Sequence, residues 1–330
     1  MISLLKKLIS IPRCSGNEKE AADFLEGWLR DRGLNPSRHG NNIWCMKGSG
    51  SAVLLDAHID TVKAAASWTR NPLTPTVEGN RLYGLGASDD GGSLAALTLA
   101  FMKASPRRHT LVLSLSAQEE TSGPGGLSAA LPFIQEQAGP IGCGIIGEPT
   151  GLRMATAEKG LMVLDCTVRG VTGHAARGNG VNAIYKAMPV IEWFRHEGMQ
   201  VTQISAGTQH NVIPDLCSFV VDVRTTSDNK TVLDYIRNAA GCEVAARSTR
   251  LSGSCIDPGH PLVDAARALG LETYSSPTLS NQALCAFPTV KIGPGDPSLS
   301  HKADEYLDLG ELEKGVETYL QLIEKYETLG

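Results

Sequence analysis

Apolar positions along the chain fall into two textures. Through the first half, near-continuous apolar runs end in polar clusters: "AVLLDAHID" (52–60), "HTLVLSLSAQEE" (109–120) and "CGIIGEPT" (143–150). Runs of this kind read as strands buried on both faces, as in a parallel sheet covered by helices. Between them, "GGSLAALTLAFMKAS" (91–105) reads as a helix. The N-terminal "MISLLKKLISIPRCSGNEKEAADFLEGWLRDRGL" predicts an amphipathic helix, a proline break, a Ser/Gly/Asn start signal and a second helix. This alternation favours an α/β fold with a mostly parallel central sheet.

The middle of the chain is different. "GLMVLDCTVRG" and "LCSFVVDVRTT" alternate apolar with polar residues, as half-exposed strands do. "VNAIYKAMPVIEWFRHE" and "TVLDYIRNAAG" read as helices, and "CEVAARSTR" as a last strand. The order strand–helix–strand–strand–helix–strand predicts an inserted α+β domain of ferredoxin-like type over residues 160–255. The tail returns to the first style, with a helix at "PLVDAARALG", a strand at "PTVKIG", a polar loop to His301 and a final helix from Leu309. Residues 1–159 and 256–330 are therefore assigned to one domain.

Composition narrows the function classes. The net charge of −5 argues against a broad nucleic-acid surface. No apolar stretch is long enough to span a bilayer. Lys6 and Lys7 interrupt the first apolar run and no small-residue cleavage site follows, which argues against a signal peptide. The eight cysteines are scattered without a C-x-x-C pair, so free thiols in a reducing cytoplasm are expected.

The chemistry gathers at strand ends. His58 and Asp60 follow "VLLDA", Glu119 and Glu120 follow "LVLSLSA", Glu148 follows "GIIG", and His301 follows "VKIGPGDPSLS"; Asp89 precedes a helix in "GLGASDDGG". Each has an ordinary reading alone: a satisfied core histidine, a helix cap, a solvated turn. Together they are predicted at one edge, where open α/β sheets bind ligands. Carboxylates crowded this way need cations. With Asp89 bridging two divalent metals, His58 and Glu148 complete one and His301 and Glu120 the other, leaving room for water. Adjacent residues of a strand point to opposite sides, so Glu120 can bind metal while Glu119 takes a proton from the attacking water and passes it to the leaving amine. The metals lower the water's pKa and polarise the carbonyl. Asp60 is expected to accept the other ring N–H of His58. Histidine and carboxylate ligands accept zinc, cobalt or manganese.

These residues resemble the two-zinc aminoacylase and carboxypeptidase family that includes acetylornithine deacetylase and succinyl-diaminopimelate desuccinylase. The resemblance runs nearly end to end, through "LLKKLISIPRCSGNE", "LLDAHIDTV", "LYGLGASDDGG", "SAQEETSG", "IIGEPT", "EKG", "VRGVTGHAA", "HNVIPD" and "GPGDPSLSHKADEYL". It implies a zinc-peptidase-like catalytic domain, two Zn2+ ions on the ligands above, and an inserted lid that mediates homodimerisation. It also implies that His174 reaches the partner subunit's site to stabilise an oxyanion, that Arg224 holds a substrate α-carboxylate and that Asn211 contacts substrate. Many relatives carry D-M-K-G-G after the bridging aspartate; here Asp90 and Gly91 stand where Met and Lys would, which leaves Asp90 as an alternative bridge to Asp89.

The resemblance is strongest to the short amino-acid-biosynthesis deacetylases, so a deacylase of an N-acyl amino acid, with acetylornithine or succinylornithine as examples, leads. A di-/aminopeptidase or carboxypeptidase with the same machinery is the alternative. A metal- or partner-binding protein without catalysis has no use for Glu119 as a base. A dinucleotide oxidoreductase rests on Gly84 and Gly86 alone, since Asp89 stands where a third glycine is needed. Neither G-x-S-x-G nor H-E-x-x-H occurs.

Overall fold

The computed structural model describes residues 1–329, which form two compact units. The first comprises Met1–Ala157, Cys255–Ser276 and the chain from Ser280 onward; the second comprises Glu158–Ser254 with Pro277–Leu279.

Four parallel strands form the heart of the first unit, in the order His109–Ser116, Ser51–His58, Ile141–Gly147, Thr289–Ile292. Antiparallel strands extend both sides of this block, Asn42–Gly48 on one and Met154–Glu158 on the other. The sheet is therefore mixed at its margins and parallel at its centre. Side chains of Ser51–His58 alternate between the faces. Val53, Leu55 and Ala57 join the larger core with Leu94, Leu97 and Phe101 of the helix Gly91–Lys103. Ala52 and Leu54 pack with Leu127, Ala130 and Ile134 of the helix Leu127–Ala138. Burial on both faces explains why these strands read as unbroken apolar runs.

Parallel strands end at the same edge, and His58 lies in register with Ser116. That register carries the polar residues of both loops to one place. A small antiparallel sheet of Thr76–Glu78, Arg81–Tyr83 and Tyr306–Asp308 adds to the unit. Its hairpin turns on Gly79, at φ 58°, followed by Asn80, a local signal for a tight turn.

In the second unit, Gly160–Arg169, Gln200–Ala206, Leu216–Thr225 and Glu243–Ala246 form an antiparallel sheet. Two helices, Ala183–His196 and Asn229–Ala239, interleave with these strands in the chain. The strand order, second, third, first, fourth, is that of a ferredoxin-like domain. Its separate core is built on Phe194, Phe219, Leu164 and Ile236.

Opposite chemistry marks the final helix. Glu327 accepts from the backbone N–H groups of Arg107 and Arg108, both at 2.9 Å, and contacts His109 Nδ1 at 2.8 Å. Burial alone raises this carboxyl, but those N–H donors hold it below its ordinary 4.5. A folded-state value below the unfolded one contributes stability above pH 4.5 that is lost as pH falls through the depressed value. Glu327→Gln is expected to cost about 1–3 kcal/mol at pH 7. In urea melts, the gap between parent and variant should narrow on acidification below pH 4.5; a gap that stays constant contradicts the assignment.

Candidate metal centre

Asp60 organises the strand edge. It is fully buried and accepts from Ser15 Oγ at 2.5 Å and from the backbone N–H groups of Glu119 and Glu120, both at 3.1 Å. The strand before the glutamates ends at Ser116, and Gln118 turns through φ 55°. Glu119 and Glu120 therefore stand in a turn, and strand alternation does not set their directions. The Asp60 carboxylate, gripping both N–H groups, does so. Its contact with His58 is looser than the sequence suggested. Nδ1 lies 3.1 Å from the Asp60 carbonyl and 3.4 Å from its carboxylate.

Asp89 lies between the two histidines. Oδ1 is 3.2 Å from His58 Nε2, and Oδ2 is 3.8 Å from His301 Nε2. His301 Nε2 also meets Glu120 Oε2 at 2.8 Å. Asp90 occupies the helix N-cap and faces elsewhere, accepting the backbone N–H of His58 at 3.3 Å. Of the two aspartates, Asp89 is the one whose carboxylate meets both histidine rings. Glu148 follows the strand Ile141–Gly147, as expected from its position.

A residue that sequence reasoning passed over holds Asp89 in place. Glu305, 2 % exposed, accepts from the N–H groups of Gly86, Ser88 and Asp89 at 2.8, 2.8 and 2.9 Å. It lies inside the quoted "HKADEYL", but nothing local announces partners more than two hundred positions away. The pairing of Tyr306–Asp308 with Arg81–Tyr83 delivers it there.

The electrostatics describe a site short of positive charge. Burial, reinforced by Glu120, Asp60 and Asp89, pushes Glu119 up to about 8. Burial, then Glu119 and Asp89, pushes Glu148 well above the usual carboxylate range. Burial favours neutral His58, yet its contacts with Asp60 and Asp89 raise it well above 6.5. Glu120 draws His301 up to about 9. These are the signs of crowded, desolvated acids. Ligand atoms of His58, Asp89 and Glu120 lie within 4.8 Å of one another, as do those of His58, Glu119 and Glu148. His58 thus lies within reach of Glu119, Glu120 and Glu148, and Asp89 joins the group that holds Glu120. Imidazole nitrogen and carboxylate oxygen at this spacing fit divalent cations.

The other expected site residues belong to the second unit. His174 pairs with Val212 in a two-stranded ladder, and Ala175 N–H donates to the Asn211 carbonyl at 2.9 Å, so His174 and Asn211 share one loop cluster. His174 is exposed, and its Nδ1 accepts from Ala176 N–H at 3.2 Å. Arg224, on Leu216–Thr225, bonds Asp222 of its own strand through Nε at 2.8 Å and Nη2 at 3.1 Å.

Comparison with known proteins supplies the remaining context. Residues 54–325 match the Peptidase family M20/M25/M40. The chain is 31 % identical to an acetylornithine deacetylase of Erwinia tasmaniensis over 93 % of this chain and 92 % of that protein. It is 28 % identical to a putative succinyl-diaminopimelate desuccinylase DapE of Mycobacterium tuberculosis, covering 96 % of each. Among solved structures, a tripeptidase of Staphylococcus aureus superposes with a TM-score of 0.81 at 18 % identity, over 99 % of this chain and 98 % of that one.

Proposed function

Because the chain belongs to peptidase family M20/M25/M40, and is thereby a hydrolase, we propose that it removes an acetyl or succinyl group from an N-acylated amino acid such as N-acetylornithine. The observation that carries this reading is the Asp60 clamp. It sets two glutamates side by side next to an aspartate flanked by two histidines. Acylated amino acids are favoured over peptides because the curated relatives bearing deacylase names match nearly the whole chain. The peptidase reading keeps its place through the tripeptidase's similar fold.

His58 and Glu148 would hold one divalent cation, His301 and Glu120 a second, with Asp89 shared. Zinc is our reading, and cobalt or manganese suits the same donors. When bound, such cations supply Lewis acidity toward a water and the amide carbonyl. The chain supplies the proton traffic. Glu119, half-buried and without a hydrogen bond committing its carboxylate to a backbone donor, takes a proton from the attacking water and returns it to the leaving amine. Asp60 keeps Glu119 and His58 in a fixed relation. His174 accepts at Nδ1, which leaves the proton of a neutral ring on Nε2. An N–H so presented suits a developing oxyanion. Arg224 offers a planar fork for a carboxylate, on exchanging its bond with Asp222, and Asn211 adds an amide.

The partner is a second copy, joined through the second unit. Val181, Tyr185, Met188 and Ile204 are exposed there, and Ile204 lies on the sheet-edge strand Gln200–Ala206. An apolar surface beside an open strand edge is suited to self-association. No helix among the described residues is long and apolar enough to cross a membrane. Cytoplasmic residence remains part of this proposal, and the eight free cysteines are compatible with it.

A panel of N-acetylornithine, N-succinylornithine, N-acetylcitrulline, N-acetyl-lysine and free dipeptides tests the substrate class. Preferred cleavage of one acyl amino acid supports it, and preferred cleavage of dipeptides replaces it with the peptidase reading. Mixing inactive His174→Ala and Glu119→Gln subunits tests the cross-subunit role. Random pairing is expected to restore up to about a quarter of parental activity; mixtures that stay inactive contradict it.

A further inference from the structure

Arg13 lies in the loop after the first helix, where "IPRCSG" gives it the appearance of a surface turn residue. It is instead 2 % exposed. Nη1 donates to the Ile59 carbonyl at 2.6 Å and more weakly to the Asp60 carbonyl at 3.5 Å, and Nη2 donates to the Gly86 carbonyl at 2.9 Å. One guanidinium therefore spans two loops. The first carries His58 and Asp60, and the second runs from Gly86 to Asp89.

The surroundings make this cross-brace hard to replace. A Cβ at Gly86 would lie 2.2 Å from Arg13 Nη2 and 2.5 Å from Thr61 Cγ2, so the guanidinium is seated directly against the turn. Gly86 N–H is held from its other end by Glu305, which also holds Asp89. The Arg13 backbone carbonyl accepts from Thr61 N–H at 3.0 Å, which ties the arginine's own loop to the His58–Asp60 segment. Acids facing the guanidinium are Glu305, Asp60, Asp90 and Asp89, yet its hydrogen bonds go to carbonyls. Arg13 Nε is buried without a partner. Burying a cation with an unpaired donor is costly, and the return is a fixed positive charge behind a cluster of carboxylates.

We propose that Arg13 is a positioning residue for the metal centre, setting the spacing between the His58–Asp60 strand end and the Asp89 turn and so governing metal affinity. The inference rests on the metal-dependent reading above. A two-point donor with planar geometry suits two carbonyls on separate loops; a lysine ammonium keeps the charge but not the fork.

The test is zinc binding by full-length protein, measured by competition with a chromogenic chelator, alongside metal content and thermal unfolding without metal. Loss of groups that orient metal ligands typically weakens affinity by about 10–100-fold, and Arg13→Met is expected to fall in that range. Arg13→Lys should recover part of the loss. At saturating zinc, kcat should fall by less than the affinity does, a split that general destabilisation would not produce. Should Arg13→Met fail to fold, Arg13→Lys carries the comparison, with zinc bound about tenfold more weakly than by the parent. Parental zinc affinity in every folded variant, with only the melting temperature lowered, overturns the role of Arg13. A parent that binds no zinc overturns the metal reading, and this proposal with it.

Discussion

Asp89→Ala is expected to strip metal from the chain and to lower amide hydrolysis by at least about a thousandfold, equivalent to roughly 4 kcal/mol of barrier. Its two carboxylate oxygens face different histidines, at 3.2 and 3.8 Å, so this one side chain touches both halves of the donor set. Alanine deletes both contacts. It also removes the negative charge that any pair of cations placed here would share. The backbone N–H of residue 89 stays bonded to Glu305 whatever the side chain, so the turn and the helix that follows should persist. Metal analysis of the purified variant, with its circular dichroism as a control for folding, checks this. Parental metal content in a folded Asp89→Ala protein contradicts the bridging role. Asp90→Ala is the companion: its carboxylate meets only the backbone of His58 in this cluster, so metal content should survive.

Glu119→Gln is expected to give the opposite pattern, with metal retained and turnover lowered by about 10²–10⁴-fold, the usual contribution of a positioned acid–base group. Glutamine has nearly the shape of glutamate and keeps the backbone N–H that Asp60 holds. What it lacks is the ability to take and return a proton. KM should change less than kcat, because the lost interaction belongs to the transition state. Steady-state kinetics at saturating metal check this. A variant with parental kcat removes Glu119 from the mechanism, and one that has lost its metal makes Glu119 a ligand, as its place beside His58 and Glu148 would also allow.

The contrast between these residues and the ones sequence reading missed has a physical basis. The parallel strands are buried on both faces, so each reads as an apolar run, and a histidine or acid at its end breaks the run visibly. Parallel register then guarantees that those breaks meet, as His58 and Ser116 do. Legible residues are thus those whose position follows from the strand that carries them. Glu305 and Arg13 act through backbone groups far along the chain, and their local patterns are those of ordinary loop residues. No periodicity marks such pairings. Asp60 was half legible: its spacing from His58 suggested an orienting acid, while its grip on the Glu119 and Glu120 backbone depends on a loop from another strand. What sets the directions of those glutamates was hidden for the same reason: the strand ends at Ser116, before them, so a turn and not strand alternation orients each. In the second unit, alternating apolar positions announced the strands. The expected work of His174 could be stated only through resemblance, because it concerns a second subunit.

The most direct test of the central claim is a zinc titration of chelated, full-length protein, followed by both metal content and hydrolysis of N-acetylornithine and N-succinylornithine. The account predicts two zinc ions per chain and hydrolysis that disappears with chelation and returns with zinc. Hydrolysis that persists in metal-free protein, or a chain that binds no zinc, would contradict it.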